Sequence, residues 1–173
     1  MLLETTTYTT PEAPARRLLV ADWTVDPRDV VASAARLDGS RPGELAVLVP
    51  AWLHGIDWAG DPAASAPCAR RQLESIRQRA AEAGFPIATA AVGDPDPATA
   101  ILDALAGWPA DEVVLCVRHR RLPAGPFDLA RRARRLTGLS VRRVAITPPS
   151  SRVARGWFHR RSAHCGLEAA QPA

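Results

Sequence analysis

Arg118, His119, Arg120 and Arg121 follow without a break on Val113, Val114, Leu115, Cys116 and Val117. Four polar side chains thus stand at the end of a run that belongs in a core. Guanidinium groups offer a fork of donors that matches carboxylate and phosphate oxygens. An imidazole adds either a further donor or a base. Comparable residues stand where other apolar runs end: Asp22 and Trp23 in the first, Trp52, His54, Asp57 and Trp58 in the second, Gly93 and Asp94 in the third. One chemistry open to this set is an anion held by arginines, with a tryptophan stacked on a base. Another is general base catalysis by His54 or His119 with Asp22, Asp57 or Asp94. No Ser or Cys nucleophile motif accompanies the histidines and spacing alone sets no geometry, so no catalytic residue is assigned and the chain is not expected to be an enzyme. A site of two histidines and a carboxylate has no recognised ligand spacing here, and no metal is expected. A structural role also stands: Trp23, Trp52 and Trp58 packing the long loop over residues 50–67 onto the sheet, with Asp57, Asp61 and the arginines in ion pairs at its rim. Long ordered loops are often functional, which keeps the binding role in play.

The elements that must position these residues are legible in the pattern. Residues 1–15 are rich in Thr, Pro and small residues and read as a flexible N-terminal tail. RLLVADW, residues 17–23, is a strand pattern. Asp26 then caps a helix with Pro27 at its first position, Val30, Val31, Ala34 and Leu37 as its buried stripe and Gly39 as its end. A second strand spans 45–49 and continues towards Trp52. The longest helix is expected over 67–83, closed by Gly84, and a third strand over 86–92. Gly93 makes the next turn, and Asp96 and Pro97 open a helix whose Ile101, Leu102, Leu105 and Trp108 face inward. The fourth strand is 113–117, apolar on both faces as a central parallel strand should be. A fourth helix over 127–136, with Leu129, Ala133 and Leu136 as its apolar face, stops near Gly138, and a fifth strand spans 141–146. Five alternations with mostly short connections argue for a doubly wound α/β sheet with helices on both faces. Residues 149–173 carry Arg152, Arg155, Arg160 and Arg161 around Trp157 and Phe158 without an apolar stripe. They read as an Arg-rich flexible C-terminal tail, with contact to a nucleic-acid or membrane surface as the alternative.

The chain of 173 residues is long enough for one domain with a sizeable core. A hydrophobic fraction of 47% with 23% charged residues excludes a disordered chain. No apolar run approaches the ~18 residues that a bilayer crossing takes, and the N-terminus shows no secretory pattern. A cytoplasmic protein with no membrane partner is expected. Cys68, Cys116 and Cys165 are widely spaced and odd in number, which predicts reduced thiols rather than a disulfide framework or zinc site. All 22 basic residues are arginine, a bias that a GC-rich genome explains as readily as chemistry does. Residues 1–110 hold 9 Arg against 14 Asp and Glu, whereas 111–173 hold 13 against 4, so the two parts carry −5 and +9. The second figure fits an anionic partner or an Arg-rich solvated helix face. Arg131, Arg132, Arg134 and Arg135 spread over both flanks of the fourth helix at about 100° per residue, so specific nucleic-acid recognition is not expected, although an Arg-rich nucleic-acid binder is a further alternative.

The segment VGDPDPATAILDALAGWPADEVVLCV resembles the third strand, third helix and fourth strand of the universal stress protein family, where a GDP-type turn opens a helix and a "DLIVMG" strand follows. RLLVAD, residues 17–22, with its acidic residue at the end of the first strand, is similar to that family's opening "ILVAVD". The likeness covers about residues 16–148 with the order of elements preserved. It implies a five-stranded parallel sheet in the order 3-2-1-4-5 and a stress-linked, non-enzymatic regulatory or binding module, homodimeric through the fifth strand. Members that bind ATP carry a glycine, two residues, a glycine, nine residues, a glycine and then Ser or Thr after the fourth strand. Those glycines let backbone N–H groups approach phosphates, and the last pair opens a helix N-terminus. In this chain the positions fall on Val117, Arg120, Ala130 and Arg131, and Gly125 rescues only one of them. No cofactor is therefore expected; ATP or another adenine nucleotide is what the resemblance allows while the glycine pattern is absent. In the implied strand order the crevice lies between the first and fourth strands. The ligand-binding set is then Asp22, Trp23, Trp52, His54, Gly93, Asp94, Arg118, His119, Arg120 and Arg121, for an anionic small molecule held by arginines instead of a glycine loop. A small nucleotide-dependent enzyme using the same crevice is the alternative.

Overall fold

A computed structural model describes residues 15–38, 43–53, 65–118 and 128–146. Within them run β1 (Ala15–Ala21), α1 (Pro27–Asp38), β2 (Gly43–Pro50), α2 (Ala66–Glu82), β3 (Thr89–Gly93), α3 (Pro97–Gly107), β4 (Glu112–Arg118), α4 (Leu129–Thr137) and β5 (Ser140–Ile146). The tails expected at 1–15 and 149–173 lie outside the described residues apart from Ala15, which opens β1. The strands form one sheet in the order β3-β2-β1-β4-β5, every neighbouring pair parallel. Strand order reverses between β1 and β4, so the crevice expected in such a sheet opens there, beyond the carboxyl ends.

The core divides by the two-residue period of the strands. Leu19, Ala21, Val47, Val49, Val114 and Cys116 pack under Val30, Val31, Ala34 and Leu37 of α1 and Ala69, Ile76 and Ala80 of α2. Leu18, Val20, Ala46, Leu48, Val113 and Leu115 point the other way, under Ala100 and Ile101 of α3 and Ala130 and Ala133 of α4. Val113 to Cys116 are buried on both faces, as their unbroken apolar run requires.

Local chemistry sets the element ends. Asp26 accepts from the Arg28 N–H at 2.9 Å ahead of Pro27. Asp96 caps α3 and Asp128 caps α4, each accepting an N–H two residues on. Gly84 after α2 and Gly138 after α4 adopt positive φ (67° and 69°), where a side chain would be strained.

Four expectations are corrected. β3 begins at Thr89 rather than Pro86, because proline has no N–H for the ladder; the link into β2 is made by Ala88 N–H to Leu45 O at 2.8 Å. Leu102 is 40% exposed instead of inward, because Ala98, Ala100 and Ile101 make the buried face of α3. Leu136 is 50% exposed: a spacing of three residues drifts about 60° per step, so Leu136 is carried out of the line begun by Ala130 and Ala133. Cys68 is disulfide-bonded and not a reduced thiol, whereas Cys116 is free and buried.

Part of the arginine excess is spent at the amino end of the sheet. Buried Arg17 lies 3.6 Å from Glu112, which also accepts from Arg142 at 3.0 Å. Arg16 stacks its guanidinium 4.5 Å from the Trp108 ring, and its Nε sits 3.2 Å from Glu44 without the alignment of a hydrogen bond. Among the described residues no helix is long and apolar enough to cross a membrane.

Candidate functional site

β1 and β4 diverge at their carboxyl ends, joined last by Asp22 N–H to Cys116 O at 3.1 Å. Beyond that bond the chain turns sharply. Asp22, 7% exposed, accepts from both the N–H and the hydroxyl of Thr24 at 2.9 and 2.8 Å, and its carbonyl accepts from Val25 N–H at 3.0 Å. A short acceptor followed two residues on by a hydroxyl is the local signature of such a turn. Gln72, 3% exposed on α2, donates to the Val25 carbonyl at 2.8 Å and holds the turn from below.

Across the gap Arg118, the last residue of β4, is half-buried and donates through Nη2 to the Thr24 carbonyl at 3.1 Å. The crevice floor is therefore crossed by a guanidinium. On the β2 side Trp23 donates its indole N–H to the Trp52 carbonyl at 2.6 Å. Ala51 N–H reaches Gly93 O at 3.1 Å, and the Ser65 hydroxyl donates to Ala51 O. The exits of β1, β2 and β3 and the start of α2 are thus tied together.

Of the ten residues expected at the site, the structure brings Asp22, Trp23, Trp52 and Arg118 together around the exits of β1, β2 and β4. Gly93 stands at the neighbouring exit of β3, and its role there is packing: a Cβ would lie 2.6 Å from the Ala100 Cβ and 2.9 Å from Leu48 Cδ1. Asp94 is exposed and accepts from Asp96 N–H at 2.7 Å within the β3–α3 turn. His54, His119, Arg120 and Arg121 lie outside the described residues, as do Asp57, Trp58 and Asp61. Thr24 and Gln72 were missed by the sequence reading. The Asp22–Thr24 spacing carried a usable signal for the first, but a buried glutamine on an Arg- and Gln-rich helix carried none.

Two helix N-termini at this end of the sheet already hold carboxylates. Asp128 accepts from Ala130 N–H at 3.0 Å at the start of α4. Asp96 accepts from Ala98 N–H and the Thr99 hydroxyl at the start of α3, and from both terminal nitrogens of Arg132 at 2.9 and 2.7 Å. Partial burial opposes ionisation of Asp96, but the Arg132 fork and the capping donors outweigh it and hold the carboxyl below its ordinary value. Beneath the crevice, burial pushes the Cys116 thiol up to about 12 against the opposing pull of Ser33 and Arg36. Among the described residues no group of three His, Cys, Asp or Glu side chains is arranged to hold a metal ion.

No protein-family model matches the chain, and no curated protein matches it. Solved structures do. A universal stress protein crystallised in complex with cAMP superposes with a TM-score of 0.53 at 15% identity, over 77% of this chain and 98% of that one. A protein of the universal stress protein family from Burkholderia pseudomallei superposes with a TM-score of 0.52 at 19% identity, over 75% and 96%. Identities this low speak for architecture alone. With five parallel strands in the order 3-2-1-4-5 and two helices on each face, the chain has the universal stress protein fold.

Proposed function

We propose that this chain is a non-catalytic regulatory or binding module of the universal stress protein kind, holding an anionic ligand of the nucleotide class at the β1–β4 crevice through arginine side chains. The observation that carries this reading is Arg118, whose guanidinium lies across the point where strand order reverses. Guanidinium is suited to phosphate by its planar fork of donors. At the start of α4 the Ala130 N–H is already taken by the Asp128 carboxylate, which favours a site built on side-chain donors. A structural neighbour crystallised with cAMP shows that this fold accommodates a nucleotide in at least one protein. Trp23, whose indole N–H is committed to Trp52, serves as a strut and not as a hydrogen-bond donor to the ligand. His54, His119, Arg120 and Arg121 complete the proposed set from the sequence.

The test is calorimetry and thermal shift on the full chain with cAMP, ATP and inorganic phosphate, beside a variant carrying Arg118→Ala and Arg120→Ala. Binding by the parent, weakened at least about tenfold in the variant, supports the reading, since charged hydrogen bonds are worth about 1.5–3 kcal/mol each. Equal binding by both proteins, or none by either, overturns it. The homodimer implied by the resemblance would use the outer edge of β5, which pairs with β4 and with no other described strand.

A further inference from the structure

Of the chain's three cysteines, Cys116 is free and buried, and Cys68 is disulfide-bonded. The pairing left to Cys68 within the chain is with Cys165, which lies outside the described residues. Cys68 stands in the first turn of α2 and is buried. That turn is anchored at the carboxyl end of the sheet, because Ser65 at its cap donates to the carbonyl of Ala51 just beyond β2. Gln72, four residues on and therefore on the same helix face, donates to the Val25 carbonyl in the turn that follows β1. Since α2 runs back from this end of the sheet, Cys68 sits nearer the mouth of the crevice than Gln72 does, on the side of the β1 exit.

β5 ends at the same end of the sheet, because every neighbouring pair of strands is parallel. Ile146, its last residue, packs on the α1 and α2 side, the side on which Cys68 lies. In strand order β4 stands between β5 and β1, so the direct line from Ile146 to Cys68 crosses the exits of β4 and β1, where the crevice opens. Neighbouring strands lie about 4.8 Å apart, which puts β1 about 10 Å from β5. The 18 residues between Ile146 and Cys165 reach up to about 60 Å when extended, so the bond closes without moving the sheet.

From a bonded cysteine at the crevice mouth and a last strand that ends at that same mouth, we infer that a Cys68–Cys165 disulfide draws residues 147–164 across the β1–β4 crevice as a strap, and that reducing the bond releases it. The strap carries Arg152, Arg155, Arg160 and Arg161, so closure adds positive charge at the end of the sheet where Arg118 lies. Closing moves two electrons from the two cysteine thiols to a small-molecule disulfide, which leaves as two thiols with the two protons. Opening is the reverse exchange: a dithiol attacks as thiolate, expels one cysteine, then closes into a cyclic disulfide as the other leaves, and each cysteine takes up a proton. Burial of Cys68 makes the exchange slow, since access governs its rate. The latch does not rest on what the crevice binds.

The test compares the full chain oxidised with glutathione disulfide, the same protein after dithiothreitol, and Cys165→Ser. Mass spectrometry of a non-reduced tryptic digest is expected to find the peptide of Cys68 joined to that of Cys165 in the oxidised protein alone. Limited trypsin is expected to cut after Arg152, Arg155, Arg160 and Arg161 at least about tenfold more slowly in the oxidised protein than in the other two, since cleavage follows the population of the open segment. Hydrogen exchange of the turn over residues 22–25 is expected to slow with it. Dithiothreitol on the parent separates loss of the bond from any effect of the serine on folding. The inference is overturned if Cys68 of the oxidised protein, once denatured, is alkylated or carries glutathione, or if the bond joins two copies in a reducible dimer. It is also overturned if the linked monomer is cut, and exchanges at residues 22–25, as fast as the reduced one.

Discussion

Arg118 and Thr24, separated by 94 residues in the chain, are joined by a guanidinium-to-carbonyl hydrogen bond of 3.1 Å that closes the floor of the β1–β4 crevice. The bond fixes a cation where a ligand of this fold class is expected and also restrains the turn held by Asp22. These two roles separate experimentally. Arg118→Ala should lower stability by about 1 kcal/mol, as loss of one partly buried hydrogen bond does, while Arg118→Lys should keep the charge but lose the fork. Denaturant midpoints read the first effect. Nucleotide titrations of both variants read the second, with the lysine protein expected between alanine and parent.

The Asp96–Arg132 fork should behave as an acid-labile brace between α3 and α4. Asp96 is held below its ordinary value when folded, so its contribution is fully present above the unfolded value near about pH 4 and disappears as pH falls through the lower folded one. Asp96→Ala removes both the cap and the brace and should cost about 1–2 kcal/mol at neutral pH. Urea midpoints of parent and variant should converge as pH is lowered through that window; a difference that persists in acid would refute the assignment.

Gly93→Ala should destabilise although the backbone there needs no glycine conformation. The added methyl would meet the Ala100 Cβ at 2.6 Å, and both groups belong to packed elements with little freedom to yield. Overpacking of this kind costs about 1–3 kcal/mol. A lowered thermal midpoint for Gly93→Ala, partly recovered by adding Ala100→Gly, would confirm that the contact, and not glycine flexibility, is what matters.

Cys116 should resist alkylation until the chain unfolds. Burial pushes its thiol up to about 12, while an unfolded cysteine ionises near about 8.5. The sign follows from that order: the folded state gains from the neutral thiol below pH 8.5 and loses this advantage progressively as pH rises towards 12. Iodoacetamide mapped to Cys116 by mass spectrometry at pH 8 should appear only at denaturant concentrations that unfold the sheet.

Trp23→Phe isolates the strut between the exits of β1 and β2. It keeps an aromatic ring at the position and removes the indole donor to the Trp52 carbonyl together with one ring of the packed bicycle. A loss of about 1 kcal/mol in denaturant unfolding is expected. Unchanged ligand titrations in this variant would place Trp23 outside the binding chemistry.

Reading the chain alone, the alternation of elements, Asp26 before Pro27, Asp96 before Pro97, and Gly84 and Gly138 as helix ends were all legible, because caps and turns act within about four residues. The two-sided burial of Val113–Cys116 was legible for the same reason: an apolar run declares its need for cover on both faces. Strand order came from the resemblance, since no local pattern says which strands are neighbours. The inward faces of α3 and α4 were misjudged at Leu102 and Leu136, because helical spacing defines a stripe but not its rotation against the sheet. Only the assembled sheet could bring Arg118 to Thr24, Trp23 to Trp52 and Arg132 to Asp96, contacts spanning 94, 29 and 36 residues. Each depends on parallel register setting separate strand ends at one level, and that long-range agreement leaves no signature within any single segment.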